Sequence, residues 1–335
     1  SNTGYVTRIE AFFDVLKRPR KKTELQRREL KESCDFQDRT VWVPNIHAFS
    51  TEFTAAALRR NGFDARALPL ETAGSFEVGK TVTRGSECLP TSLTIGSLLT
   101  VLRRSPKDSK HAFFMPTAQG PCRFGQYITL HRQILDGDGF DDVPIFSPDH
   151  YKGFSGLDSS VRQSICKGML MGDILLKTGC KIRPYEKDPG ETNFRLDTWM
   201  CRFAKAIQDN EDLEESVRTM TVDLMSVPRH EGRQKPVVGV VGEIYVRNNQ
   251  YANENVIQSI EKLGAEAWMT PITEWIIYTH SLYNVFEHHG YKISKSLIKP
   301  YLQYRWLLHW EHKLYKAASP FLDDRHESSP GYVSL

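Results

Sequence analysis

Apolar and polar positions along the chain follow two periods. Thr40-Val-Trp-Val-Pro44, Asp64 to Leu70, His111-Ala-Phe-Phe-Met-Pro116 and Val143-Pro-Ile-Phe146 are short runs rich in branched and aromatic residues, which predicts strands. Between them, Thr51 to Arg60, Thr91 to Arg104 and Phe124 to Leu135 carry helical spacing, the first ending at the stop signal Asn61-Gly62. Strands alternating with helices predict an α/β fold, a parallel sheet with helices on both faces. Residues 156–227 contain no strand pattern, and Val161 to Thr178, Asn193 to Gln208 and Leu213 to Met225 are spaced as helices. At Pro236 a second α/β unit opens. Its continuous apolar run to Gly242 predicts a fully buried strand, followed by a helix from Asn253 to Leu263 and a strand from Glu266 to Pro271. Residues 273–318 read as helical. Their aromatics Trp275, Tyr278, Tyr283, Tyr301, Tyr304, Trp306 and Trp310 read as core or lobe packing rather than a stacking platform.

The expected organisation is a charged leader over 1–38, a first α/β lobe over 39–155, a helical bridge over 156–232 and a truncated second α/β lobe over 233–335 with C-terminal helices. Two strands make a poor independent sheet, so either other elements complete the second lobe or it continues beyond residue 335.

The length of 335 residues suits about two domains with a large core. Lys plus Arg is 44 against 41 Asp plus Glu, a net charge of +3, which excludes a polybasic nucleic-acid binder or an acidic tail as the default reading. The basic run Lys17 to Lys22 reads as part of a solvated helix or linker. No apolar run approaches the roughly 18 residues of a membrane helix, and the N-terminus has no basic-then-apolar signal. A cytoplasmic location is the expectation. The chain lacks an initiator Met and reads as an excerpt of something longer.

Gly74-Ser-Phe-Glu-Val-Gly-Lys80-Thr81 matches the phosphate-loop pattern GxxxxGK[ST]. Its context argues against that chemistry, because Gly85 and Pro90 interrupt the helix that should run on from Lys80. Six cysteines are present with no CxxC spacing, so a zinc ribbon has no support. Cys88 and Cys122 share a context: each precedes a predicted helix, and Cys122 also follows the strand 111–116. Helix N-termini favour the thiolate, the form that binds metal or attacks electrophiles, and ligands of open α/β sheets bind beyond the carboxyl ends of strands. The competing reading is two buried thiols in tight turns. Cys166 and Cys201 read as buried on helices, Cys180 is ambiguous, and Cys34 lies in the leader. Gly242-Glu-Ile-Tyr-Val-Arg-Asn-Asn249 would put Glu243, Arg247 and Asn248 beyond a strand end, facing a cleft with Glu87 and Arg123, or else in capping roles at the sheet edge. His309 and His312 read as polar edges of an amphipathic helix.

Glu87-Cys-Leu-Pro90, Phe114-Met-Pro-Thr-Ala-Gln-Gly-Pro-Cys-Arg-Phe-Gly-Gln-Tyr127 and Val241-Gly-Glu-Ile-Tyr-Val-Arg247 together resemble the 2-hydroxyacyl-CoA dehydratase superfamily, closest to the dehydratase-like region of CoA-enzyme activase-related proteins. The resemblance covers roughly residues 40–320. It implies two open lobes of Rossmann-like or flavodoxin-like kind, joined by a helical segment. It further implies an iron–sulfur cluster, [4Fe–4S] or double-cubane, held by cysteines, with Cys88 and Cys122 as two ligands. Low-potential one-electron chemistry is also implied, with an ATP-hydrolysing activase and an acyl-CoA as partners; turnover of a CoA thioester by this chain itself is left open. Thr91 stands where many relatives have a second cysteine, and relatives carry a further cysteine segment downstream, so the ligand set in this chain is expected to be incomplete. The alternatives are a phosphate-loop nucleotide hydrolase acting through Lys80 and Thr81, and an interaction domain that has lost its cluster.

Overall fold

The computed structural model describes residues 38–117, 122–148, 157–278 and 298–325, with Phe13 and Phe36 besides. Four strands, β1 (Thr40–Val43), β2 (Asp64–Ala67), β3 (His111–Phe114) and β4 (Ile145–Phe146), form a parallel sheet in the order β2-β1-β3-β4. Helix α1 (Ser50–Arg60) connects β1 to β2, and α2 (Ala73–Val82) and α3 (Leu89–Leu102) connect β2 to β3. A 3₁₀ turn, Arg123–Gln126, leads into α4 (Tyr127–Gly137) before β4. The chain is therefore α/β. The helix expected to start at Phe124 begins as this tighter turn.

Strand alternation sends side chains to two different cores. Val41, Val43, Ala65, Ala112 and Phe114 share one core with α1, α5 (Ser159–Ile182), α6 (Glu191–Asp209) and α7 (Leu213–Met225). Phe113 and Ile145 share the other with Ile95, Leu98 and Leu99 of α3 and Ile134 and Leu135 of α4. The helices expected as a bridge thus also cover one face of the sheet.

The second sheet has two parallel strands, β5 (Val237–Val240) and β6 (Glu266–Met269), linked through α8 (Ile244–Asn248) and α9 (Val256–Lys262). Its β6 side is anchored, with Ala267 and Met269 packing on Cys180 near the end of α5. The expectation of a fully buried strand at 236–242 is wrong: Val237 and Val238 are 39% and 40% exposed and Val241 80%. Among the described residues nothing pairs with the outer edge of β5.

Helix α10, residues 272–278, is pinned at its start by the buried Asp173 of α5. The carboxylate accepts the Ile272 and Thr273 N–H groups, both at 3.0 Å, and the Thr273 hydroxyl. Helix α11 (Ile298–Ala317) brings Tyr304, Trp306 and Trp310 against the larger core, as Trp275 does from α10. Tyr278 and Tyr301 are exposed instead. Lys167 lies 3.8 Å from the Trp310 ring centroid, a cation–π contact. Tyr283, Cys34 and the basic run Lys17 to Lys22 lie outside the described residues. Among the described residues no helix is long and apolar enough to cross a membrane.

Gly74 to Thr81 lies wholly inside α2, whose N-cap Thr72 forms a capping box with Ser75. Gly79 there serves packing. A Cβ on Gly79 would sit 2.0 Å from the Ser92 carbonyl oxygen, and one on Gly96 would sit 2.2 Å from that of Ser75. Helices α2 and α3 cross backbone to backbone at this pair. A phosphate loop needs free N–H groups ahead of its helix. Here those of residues 76–81 lie within the helix, and Lys80 pairs with Glu77 at 2.6 Å.

Candidate functional site

Cys88 is the N-cap residue of α3, extended at φ −66° and ψ 142°, with Pro90 in the first turn where a missing N–H costs nothing. Cys122 is the N-cap residue of the 3₁₀ turn, at φ −70° and ψ 128°. Cys88 is half-buried and Cys122 exposed, and both are free thiols. The Arg123 guanidinium donates to the Ser86 carbonyl at 3.0 Å. One hydrogen bond therefore ties the turn that opens with Cys122 to the loop that delivers Cys88. The Cys122 turn follows β3, so this junction lies toward the carboxyl end of that strand.

Glu87 is spent on its own turn. Its carboxylate accepts the N–H groups of Arg84 and Ser86 at 3.0 and 3.1 Å. Burial alone would raise its pKa, but these backbone donors outweigh it and hold the carboxyl below its usual range.

Tyr127 opens α4 beneath Cys88. Burial, then the neighbouring Cys88, push its hydroxyl pKa up, while Thr91 works the other way. Tyr245 of α8 approaches from the second sheet. It is buried and donates to Glu71 at 3.1 Å. Burial, then Glu71, Glu243 and Tyr127, raise its pKa. Glu71 also accepts from Asn249 at 2.9 Å, and Asn249 bonds the Asn45 carbonyl at 2.9 Å. Burial raises the Glu71 pKa, partly offset by these donors. Asn45 follows β1, Glu71 follows β2 and Tyr245 follows β5, so three strand ends meet in one buried polar node.

The other residues expected in the cleft are largely engaged in local bonding. Glu243 caps α8 by accepting the Val246 N–H at 2.8 Å. Arg247 donates to the carbonyls of Gly242 and Pro271 at 3.3 and 3.2 Å. Asn248 bonds back to the Ile244 carbonyl at 2.8 Å, leaving its own buried side-chain oxygen without a partner. Near Arg247, the buried His47 accepts the N–H groups of Phe49 and Ser50 on Nδ1, while its Nε2 lies 3.6 Å from Asp173. Burial lowers its pKa, so this histidine is neutral at pH 7.

The remaining cysteines do not join this place. Cys180 packs under β6, and Cys166 sits on α5 against the larger core. Burial pushes both thiols up to about 12. Cys201 is exposed on α6 rather than buried as expected. Among the described residues no three His, Cys, Asp or Glu side chains gather as a metal site. Cys88 and Cys122 are thiol donors of the type that iron–sulfur clusters use, but they supply two ligands where four cysteines are the common set.

No family model, curated protein or solved structure matches this chain.

Sequence reasoning reached Cys88, Cys122 and the 242–249 segment but assigned no role to Tyr127, Tyr245 or Glu71. A polar residue just past a predicted strand end was the available signal for Asn45 and Glu71.

Proposed function

We propose that this chain is a cytoplasmic iron–sulfur electron-transfer or dehydratase-like component of the 2-hydroxyacyl-CoA dehydratase type, acting with an ATP-hydrolysing activase on an acyl-CoA. The observation that carries the reading is the pair of cysteine turns joined by Arg123 and Ser86, with the Tyr127 hydroxyl under Cys88. In this reading Cys88 and Cys122 are two ligands, and the others come from a partner or from residues outside those described. A bound cluster would supply one-electron, low-potential transfer. The chain's own residues hold and orient. Arg123 fixes the spacing of the two turns, and Tyr127 keeps its proton beside the sulfur. Tyr245 holds a second phenol proton nearby, donated to Glu71.

The test is anaerobic reconstitution with iron and sulfide, measuring both per chain. Cys88→Ala and Cys122→Ala should each lose most of the bound iron, and Cys201→Ala should match wild type. Equal loading in all four proteins would refute the assignment.

A further inference from the structure

A second place in the fold has the features of a binding site and is separate from the cysteine turns. On the sheet face served by α3 and α4, those helices cover β3 and β4. The strip formed by Thr40 and Trp42 of β1 with Asp64 and Arg66 of β2 has no aliphatic side chain to bury. Helices α2 and α3 wall this strip, leaving a groove of ≈ 1020 Å³ that opens beside the amino ends of the strands. Sites of this size take small organic molecules.

The polar groups there are short of acceptors. Trp42 donates its indole N–H to His111 Nδ1 at 3.2 Å. The neutral ring therefore carries its proton on Nε2, and Nε2 is buried with no hydrogen-bond partner. Burial lowers the His111 pKa, in keeping with the neutral form. The hydroxyl of Ser97, a residue only 3% exposed, is likewise buried and unpartnered. Burying such groups unpaired opposes folding, and a ligand acceptor would relieve it. Charge points the same way. Arg39, Arg66, Arg104 and Lys110 line the groove against Asp38 and Asp64. Lys110 pairs with Asp38 and Arg66 with Asp64, and Arg39 donates to two carbonyls. Among the described residues Arg104 alone of the four has no partner. Beside these donors lie the half-buried Trp42 and the apolar Val78 and Val101.

We propose that this groove binds a small organic anion bearing an aromatic ring, its phosphate or carboxylate at Arg104 and its ring against Trp42. Three donors in want of an acceptor, beside a tryptophan, select that combination over a neutral or cationic ligand.

The test is calorimetric titration of the full chain with AMP, benzoate, adenosine and inorganic phosphate. AMP or benzoate should bind with a Kd below about 1 mM and at least about tenfold more tightly than adenosine or phosphate, which each carry half the chemistry. The two anions distinguish a phosphate from a carboxylate head. Arg104→Ala should weaken the preferred anion about tenfold while leaving the melting temperature unchanged, since this side chain is exposed and unpaired. Trp42→Phe should keep most of the affinity and abolish the fluorescence change on binding. Cys88→Ala should leave binding as in wild type. Absence of binding by both anions up to about 5 mM, or equal affinity in Arg104→Ala, would overturn the proposal.

Discussion

His131 is fully buried directly beneath the turn that carries Cys88, between the rings of Phe113 and Tyr127. Its Nε2 faces the Thr91 carbonyl and the Thr94 hydroxyl, both at 3.4 Å, while Nδ1 is buried without a partner. Protonation would place a second N–H where no acceptor exists. Burial accordingly lowers the pKa from 6.5 to about 4, with the Thr91 carbonyl opposing. Between these values the unfolded chain binds the proton that the folded chain refuses, so stability falls as pH drops below 6.5. At ~1.4 kcal/mol per pH unit the full loss is about 3 kcal/mol, and about 2 kcal/mol of it is already present at pH ~5. The assay is urea unfolding of wild type and His131→Phe at pH ~8 and pH ~5. Other buried histidines contribute to both proteins, so the difference between their pH slopes isolates this one. Wild type should lose about 2 kcal/mol more than the variant. Equal slopes would refute the placement of a neutral imidazole under Thr91.

Three further outcomes follow from packing and charge. Gly96→Ala should destabilise by at least about 1–3 kcal/mol, because its Cβ would meet backbone that cannot move aside. Gly137→Ala, with open space around it, should stabilise by about 0.5–1 kcal/mol, and thermal melts should shift in opposite directions. Glu71 binds its proton more tightly folded than unfolded, so its contribution is full below 4.5 and is lost as pH rises through the raised value. Glu71→Gln, uncharged at every pH, should therefore gain stability relative to wild type between pH ~4 and pH ~8, and a pH-independent difference would contradict this. Asp173→Asn keeps the volume but replaces an acceptor of three hydrogen bonds, so hydrogen exchange at residues 272–275 should accelerate more than elsewhere.

Local signals carried much of the fold. The alternation in β1 and β2, the Asn61-Gly62 stop after α1 and Pro90 in the first turn of α3 each point to the element that forms. The failures have physical causes. Pro236 to Gly242 has the composition of a central parallel strand, and composition alone does not report whether anything lies on either face. Gly74 to Thr81 matches a phosphate loop in letters only: Gly79 is the glycine that lets α2 meet α3, and a Cβ on Gly74 would meet only its own N-cap Thr72. In the site, the cysteine turns were legible from the Gly and Pro around them. The Glu71 node was not, since Asn249 lies 178 residues from Glu71 and 204 from Asn45. Only the approach of the second sheet to the first brings those groups together.

The central claim is that Cys88 and Cys122 ligate one cluster, and the electron paramagnetic resonance spectrum of the anaerobically reconstituted, dithionite-reduced protein tests it most directly. Replacing a sulfur ligand by oxygen changes the electronic structure of the iron it holds. Cys88→Ser and Cys122→Ser should each shift or abolish the signal of the reduced cluster, and Cys201→Ser should reproduce the wild-type spectrum. A wild-type signal retained in either of the first two variants, or no cluster signal from the wild-type chain with its partner present, would contradict the account.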